Sequence, residues 1–419
     1  MNITIVYAVA VGATVFAASL AARADEPAAP AAPQPSPAAP AAAVATATPA
    51  PVPAAPALAS EPVTLGGYAE AYYDHQSGGN ESATATLRRV VLYVGHRFDD
   101  RIRFYSELEL ENARDAEIEQ GYLEFAVASK LAVRAGLQLV PMGIVNVTHE
   151  PPTFLTVDRP LVDELIIPST WRELGVGVTV EPAEGLRVIA LLSSGLDGDQ
   201  INATTGLTGA RGQGANAHAQ QAAGTLRLEY EPILGVRAAA SGYFGGARAD
   251  VAELPGVTVG IAEADAQVQR NGIRFRAEYA RVYLQNADEI TDLARASDPT
   301  AAAVGSQFEG YYAELGYDVL HPLRNPDGME LFPFVRFESV NLYAQRADVP
   351  LPGVSSPKPF LQGGISWRIR PTVVVKADWR HFVGSGVVPP AGDLGGEPGE
   401  PAPTAGGKNR LMTSIGLSF

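Results

Sequence analysis

Charged side chains occupy every second position in several short segments of this 419-residue chain. In residues 101–111 the alternate positions include Glu107, Glu109 and Glu111, while the positions between them include Leu108 and Leu110. Carboxylates fixed in a row attract cations from the adjacent water, and rows of guanidinium or ammonium groups attract anions. The chemistry that such rows favour is the sorting of dissolved ions and polar solutes.

The same alternation predicts two opposed sets of charges, an acidic wall and a basic wall. A transverse field between them would orient polar solutes and slow apolar ones. The alternative interpretation is that these charges only solvate a water-filled interior or pair with one another. The acidic wall is Glu107, Glu109, Glu111 and Glu124, and the basic wall is Arg274, Arg276, Arg336, Arg368, Arg370, Lys376 and Arg380.

Other chemistry has little support in the sequence. None of the six histidines has the spacing of a catalytic triad or a metal site, and the chain has no Cys. The acidic group at Asp197 and Asp199 lacks the twelve-residue calcium pattern, and the glycines of 209–214 lack a phosphate-loop Lys. We therefore predict no enzyme activity, no cofactor and no metal. The formal charge of −15 argues against a nucleic-acid partner.

The secondary-structure elements that carry these charged residues are all predicted to be β-strands. From Val63 onward, short stretches of period-two alternation follow one another to Phe419, separated by segments rich in Gly and Pro. We predict sixteen strands, at residues 63–74, 85–97, 101–112, 116–127, 131–147, 171–181, 185–196, 222–231, 234–246, 257–269, 272–286, 306–319, 330–344, 359–370, 372–385 and 408–419.

The connections between these strands alternate between short and long, and Ala113–Asp115 is the one short connection where a long one is expected. Such alternation puts all the long loops at one end, which is typical of a bacterial outer-membrane barrel with short periplasmic turns. A closed barrel also leaves no strand edge unpaired in lipid. We therefore predict an all-β, transmembrane, antiparallel β-barrel. The long connections are 75–84, 148–170, 197–221, 247–256, 287–305, 345–358 and 386–407.

The N-terminal region has a different composition. Residues 1–24 are an apolar run ending in Ala22-Arg23-Ala24, which predicts a cleaved signal peptide, with a membrane anchor as the alternative. Residues 25–62 are mostly Ala and Pro and are predicted to be a disordered periplasmic segment, either a spacer or a plain leader. Residues 63–419 form the predicted barrel domain in the outer membrane of a Gram-negative bacterium.

Aromatic residues support the membrane interpretation. The last strand alternates to a terminal Phe419, which resembles the signal that barrel assembly machinery recognises. Trp171 and Trp379 fall near outer strand ends and Trp367 nearer an inner end, so we predict that all three lie in the aromatic girdles.

Residues 86–178 resemble the phosphate-selective porin family. The resemblance is carried by Leu87-Arg88-Arg89, Arg134-Ala135-Gly136-Leu137-Gln138, Pro141-Met142-Gly143, Asp158-Arg159 and Arg172-Glu173-Leu174-Gly175-Val176. It implies a sixteen-stranded homotrimer in which the third outer loop folds into the lumen and narrows it.

In this chain that loop is residues 148–170, and its charged residues are the predicted pore constriction: Asp158, Arg159, Asp163 and Glu164. We expect Phe154 and Leu161 to pack against the wall and the charged side to face water. The family name implies phosphate or other anions, but the chain is acidic and has only four Lys.

These observations predict a passive diffusion channel for small hydrophilic solutes and inorganic ions in the lipid bilayer. The alternative is a non-conducting barrel with an adhesion or envelope-tethering role.

Overall fold

The computed structural model describes residues 63–77, 82–215, 221–248, 256–323, 328–345, 359–382 and 409–419. The predicted signal peptide (1–24) and Ala/Pro-rich segment (25–62) lie outside these ranges. Within the described ranges, no helix combines the length and the apolar character needed to span a bilayer.

The structure consists almost entirely of antiparallel strands. The strands are β1 (Val63–Ser77), β2 (Ser82–Arg97), β3 (Ile102–Glu111), β4 (Asp115–Ala128), β5 (Leu131–Leu139), β6 (Arg172–Ala183), β7 (Leu186–Ser194), β8 (Leu196–Asp197), β9 (Ala222–Ile233), β10 (Val236–Arg248), β11 (Val257–Arg270), β12 (Ile273–Gln285), β13 (Gln307–Tyr317), β14 (Glu330–Gln345), β15 (Phe360–Arg370), β16 (Val373–Phe382) and β17 (Asn409–Ser418). Within the ranges given above, one α-helix is present: α1 (Ala287–Ser297), in the connection between β12 and β13.

The sheet closes on itself. β1 pairs with β2 on one side and with β17 on the other, with Tyr68 opposite Val91 and Ser418. β8 is a two-residue strand parallel to β10 at its end, and β7 pairs directly with β9, so β8 is not a barrel strand. The result is the predicted barrel of sixteen antiparallel strands, closed and without a free edge.

On strand β3 the apolar face points outward. On β3 the buried Glu107 and Glu109 alternate with the exposed Leu108 and Leu110. A soluble sheet would bury the leucines and expose the carboxylates. The reverse arrangement is the one expected where lipid surrounds the barrel and polar groups face the interior.

The fifth strand is shorter than predicted: it ends at Leu139, not at residue 147. Pro141 has no backbone N–H for the sheet, and Gly143 adopts a φ of +73°, so this stretch cannot continue the pairing. A Cβ on Gly143 would lie 2.9 Å from Oε1 of Glu278 and 3.1 Å from Oδ1 of Asp163. The chain therefore leaves the sheet at this point and packs tightly against those carboxylates.

The girdle prediction is wrong for Trp171. Its side chain is fully buried and packs on the ring of Tyr243, at a centroid distance of 4.9 Å. The reason is that Trp171 directly precedes β6, where the chain still belongs to the packed connection after β5. Trp367 and Trp379 are 40% and 47% exposed, on the outward face of their strands.

Candidate functional site

Residues 140–171, which we call the long connection, join β5 to β6 and are mostly buried. They contain a short 3-10 turn at Pro151–Thr153 and a π-type turn at Val162–Ile166. Strand propensity is low here because five prolines interrupt the segment. Its backbone groups therefore need partners other than a sheet, and side chains from the barrel strands supply them.

Asp158 of the long connection pairs with three arginines of the barrel wall. Its carboxylate accepts a hydrogen bond from Nη2 of Arg88 on β2 at 2.7 Å. It also lies 3.8 Å from Nη2 of Arg380 on β16 and 3.7 Å from Nη1 of Arg410 on β17. These three guanidinium groups hold the pKa of Asp158 well below its usual range, despite its burial.

Most of the predicted basic wall donates to backbone carbonyls of the long connection. Lys376 donates to the carbonyl of Thr156 at 2.8 Å and lies over the ring of Phe154 at 3.7 Å. Arg336 donates to Oγ1 of Thr156 at 3.0 Å. Arg274 (3.3 Å) and Arg276 donate to the carbonyl of Thr153, and Arg368 donates to that of Pro152.

Arg370 departs from this set. Its side chain is exposed, and its Nη1 donates a hydrogen bond to the carbonyl of the neighbouring Ile369. The ladder with β16 shifts register between Arg368 and Arg370, at the last residue of β15. The bulge breaks the alternation that placed Arg370 on the inner face, so its assignment to the basic wall is wrong.

Acidic side chains of the barrel bind the amide groups of the same connection. Asp378 accepts from the N–H of Val157 at 2.7 Å, and Glu338 accepts from the N–H of Val162 at 2.8 Å. Glu278 accepts from the N–H of Ile144 at 3.2 Å. The connection is thus held through both its donors and its acceptors.

The other three predicted constriction residues are buried as well. Arg159 donates to Oγ of Ser169, and Asp163 accepts from the N–H of Val145, so both bind within the connection. Glu164 is 6% exposed. Burial raises the pKa of Asp163 to about 8. The expectation that the charged side of this segment faces water is therefore wrong: the four side chains are buried, Asp158 pairs with arginines of the barrel, and Arg159 and Asp163 bind polar groups of the connection.

Most apolar residues of the long connection belong to one buried cluster. Leu161 lies in it, whereas Leu155 packs separately with Phe332 and Phe334. Each such side chain contributes about 1.5–3 kcal/mol when fully buried. The cluster contains residues of the long connection, residues of the connection after β7 and inward-facing strand residues. Its members include Val140, Met142, Ile144, Val162, Leu165, Ile166, Ile167, Trp171, Leu196, Ile201, Leu207, Ala210, Tyr243, Val259, Ile261, Val282, Phe308, Tyr312, Val340 and Leu342.

The predicted acidic residues do share the inner face of β3 and β4. Glu107 and Glu109 are buried, Glu111 is half-buried, and Glu124 pairs with Arg134 at 2.9 Å. Sequence reasoning missed the fully buried Glu119. The ladder between β3 and β4 shifts register near this residue, which changes the phase of the alternation.

The register shift in β2 explains two further residues that were missed. Arg88 and Arg89 are consecutive yet both buried, because the ladder with β1 skips from Arg89 to Leu87. Simple alternation places only one of them inward.

Arg410 was missed because it opens the last strand. It pairs with Asp74 at 2.7 Å.

One group among the described residues has the composition of a metal site. Glu107, Glu119 and His149 each offer one ligand atom, and these atoms lie within 4.8 Å of one another. His149 belongs to the long connection, and the two carboxylates belong to the wall that it faces.

Solved structures resemble this barrel at low sequence identity and therefore inform the fold alone. The OmpF of Salmonella typhi, in complex with daunomycin, has a TM-score of 0.56 at 11% identity, covering 86% of this chain and 98% of that one. An anion-selective porin from Comamonas acidovorans has a TM-score of 0.53 at 10% identity, covering 85% and 98%.

Sequence comparison gives the family. An uncharacterized protein of Aquifex aeolicus (strain VF5) is 30% identical over 335 residues, which are 76% of this chain and 75% of that protein. The family model described as phosphate-selective porin O and P matches residues 66–325, more than half of the chain. The chain therefore belongs to the phosphate-selective porin O and P family and is an outer-membrane porin, a diffusion channel.

Proposed function

We propose that this porin passes small hydrophilic solutes and ions through a constriction that the long connection forms inside the barrel. The observation that carries the proposal is the position of Asp158 between Arg88, Arg380 and Arg410. Those three arginines lie on the inward-facing side of strands β2, β16 and β17. A segment bonded to them occupies part of the cross-section and limits the size of solute that passes.

The selectivity that we infer is weak. Six residues of the predicted basic wall are engaged by carbonyls of the long connection, by Thr156 or by Asp158. A cation that neutralises a fixed carbonyl or carboxylate attracts a passing anion less strongly than a free one. We therefore propose that inorganic anions, phosphate included, permeate with other small solutes and that cations are not rejected.

One observation favours the alternative of a non-conducting barrel. The apolar cluster around Leu165 and Phe308 packs two outer connections against the inner wall, and apolar packing excludes water. We propose that an aqueous path nevertheless runs beside that cluster, along the polar inner face of β3 and β4. We propose no catalytic role, since a channel needs none.

The remaining proposals concern export and assembly. A signal peptide at residues 1–24 and assembly through the last strand would bring the chain to the outer membrane. The backbone of Phe419 pairs with Gly67 of β1, so the C-terminal residue takes part in closing the barrel. A homotrimer is proposed by analogy with the trimer form of OmpT of Vibrio cholerae, which the fold resembles at a TM-score of 0.50.

Single-channel recording from the refolded protein in planar bilayers tests the function. We expect ohmic current steps in KCl. Protein that is folded, as judged by different migration of boiled and unboiled samples on a denaturing gel, yet passes no current would overturn the channel and support the alternative.

A further inference from the structure

The group formed by Glu107, Glu119 and His149 lies where the long connection meets the acidic wall of β3 and β4. All three side chains are at least nine-tenths buried. Nε2 of His149 is 3.5 Å from Oε1 of Glu119. Neither carboxylate oxygen of Glu119 and neither ring nitrogen of His149 has a hydrogen-bond partner among the described residues. His149, Arg89 and Arg172 attract the buried Glu119 carboxylate and offset part of its desolvation cost. Its oxygens still lack the hydrogen bonds that buried carboxylates normally have, which is the second sign that the site takes a ligand.

The neighbouring cations Arg89 and Arg172 attract the carboxylate of Glu119 and also pair with other carboxylates. Arg89 lies 3.6 Å from Glu109, and Arg172 donates to Glu117. Glu119 nevertheless lies nearest the imidazole, at 3.5 Å, and an oxygen of Glu107 lies within 4.8 Å of both ligand atoms.

The arrangement around Glu107 resembles the outer shell of a metal centre. Its two oxygens accept hydrogen bonds from the hydroxyl of Tyr105 and from Nε2 of Gln120, each at 2.6 Å. Such bonds fix the orientation of a ligating carboxylate while leaving a lone pair on each oxygen. In a tetrahedral Zn²⁺ site with bonds of about 2.0–2.1 Å, neighbouring ligand atoms lie about 3.3 Å apart. The distance of 3.5 Å between His149 and Glu119 is already close to this value.

We propose that Glu107, Glu119 and His149 bind a divalent transition-metal ion of the Zn²⁺ type. One imidazole nitrogen with two carboxylate oxygens is a donor set that suits such an ion, whereas Mg²⁺ and Ca²⁺ prefer oxygen ligands alone. The ion would balance the charge of the two buried carboxylates.

Binding would also change the passage through the barrel. The long connection is held to the basic side by Asp158, and a metal at His149 would fasten it to the acidic side as well. The ion would neutralise two negative charges next to the proposed path. We expect a smaller conductance with metal than without it, and a shift of ion preference toward anions.

The test is isothermal titration calorimetry of the folded, chelator-treated full-length protein with ZnCl₂. We expect one Zn²⁺ per chain, displaced by EDTA, and a Kd that is at least tenfold higher for Glu119→Gln and for His149→Gln. The matched controls are Glu111→Gln, on the same inner face of β3, and His321→Ala, in an exposed turn. Both should bind as the wild type does.

A wild type that binds no Zn²⁺, or Gln variants that bind it as tightly as the wild type, would overturn the site. Glu107→Gln is a third ligand variant that serves equally if one of the others fails to fold. Calorimetry needs no current, so the outcome is independent of the channel proposal. In conducting protein, ZnCl₂ should lower the conductance of the wild type and leave that of His149→Gln unchanged.

Discussion

Arg88 and Asp158 form a buried ion pair of 2.7 Å across 70 residues of sequence, between strand β2 and the connection that follows β5. Arg88 also lies 3.6 Å from Glu70 and over the ring of Tyr72, so its own charge and stem are held by β1. The pair therefore attaches the long connection firmly to the barrel wall.

Asp158→Asn should weaken this attachment of the long connection to the wall. Removing one partner of a buried ion pair leaves uncompensated charge and costs about 3–5 kcal/mol. We expect a lower temperature of unfolding, read as loss of the fast-migrating form on gels, together with a larger and noisier single-channel current. Asp100→Asn is the control, because Asp100 pairs with Arg97 on the surface and should contribute little. Equal stability and current for both variants would contradict the assigned role of Asp158.

Lys376→Met should also lower the temperature of unfolding and make the current noisier, but by less than Asp158→Asn does. Met keeps most of the contact with Phe154 but loses the hydrogen bond to the carbonyl of Thr156, leaving a buried acceptor unpaired at a cost of about 1–3 kcal/mol. We expect increased current fluctuation in bilayer recordings. Lys130→Met, in an exposed turn, should match the wild type.

Weak selectivity predicts a small reversal potential. In a tenfold KCl gradient a perfectly selective channel reverses at about 59 mV, and we expect a value well below half of this because the basic side chains are engaged by the long connection. A reversal potential near the limit with the sign of an anion channel would show that the basic wall is available to solutes.

The buried Asp163 should make the protein less stable at alkaline pH. Burial is the main cause that raises its pKa to about 8, and Glu338 adds to it, while the N–H of Val145 opposes the shift. The native state thus holds a proton that the unfolded chain releases near pH 4. Stability from this group falls as pH rises from about 4 to 8 and is constant above that.

Asp163→Asn should remove this dependence. The gain in unfolding temperature of the variant over the wild type should grow with pH and level off above about pH 8. A difference that is the same at pH 5 and pH 9 would show that Asp163 does not titrate in this range.

The lipid-facing tryptophans give a direct test of the membrane face. Trp367 and Trp379 are on the outward face, and Trp171 is buried inside. Brominated lipids should quench much of the fluorescence of the wild type and of Trp171→Phe. In a variant with Trp367→Phe and Trp379→Phe the remaining fluorescence should be nearly insensitive to bromine.

The sequence by itself determined the barrel. Period-two alternation, such as that of Leu108 and Leu110 against Glu107 and Glu109, is a local property of each strand, and all sixteen strands followed from it. The alternation of short and long connections likewise fixed which ends of the strands lie together. The closed sheet follows because lipid tolerates no unpaired backbone groups.

Only the tertiary structure decided what the charged residues contact. Bulges put Arg88 and Arg89 on the same face and remove Arg370 from the inner face that carries the basic wall. A register shift of one residue moves a side chain to the opposite face and so reverses a prediction made from alternation. The partners of Asp158 come from strands at both ends of the sequence, and Glu107, Glu119 and His149 meet only after the long connection packs against β3 and β4. Such contacts depend on how the long connection packs. Because that segment has no regular periodicity, the spacing of its residues does not predict which groups they will contact.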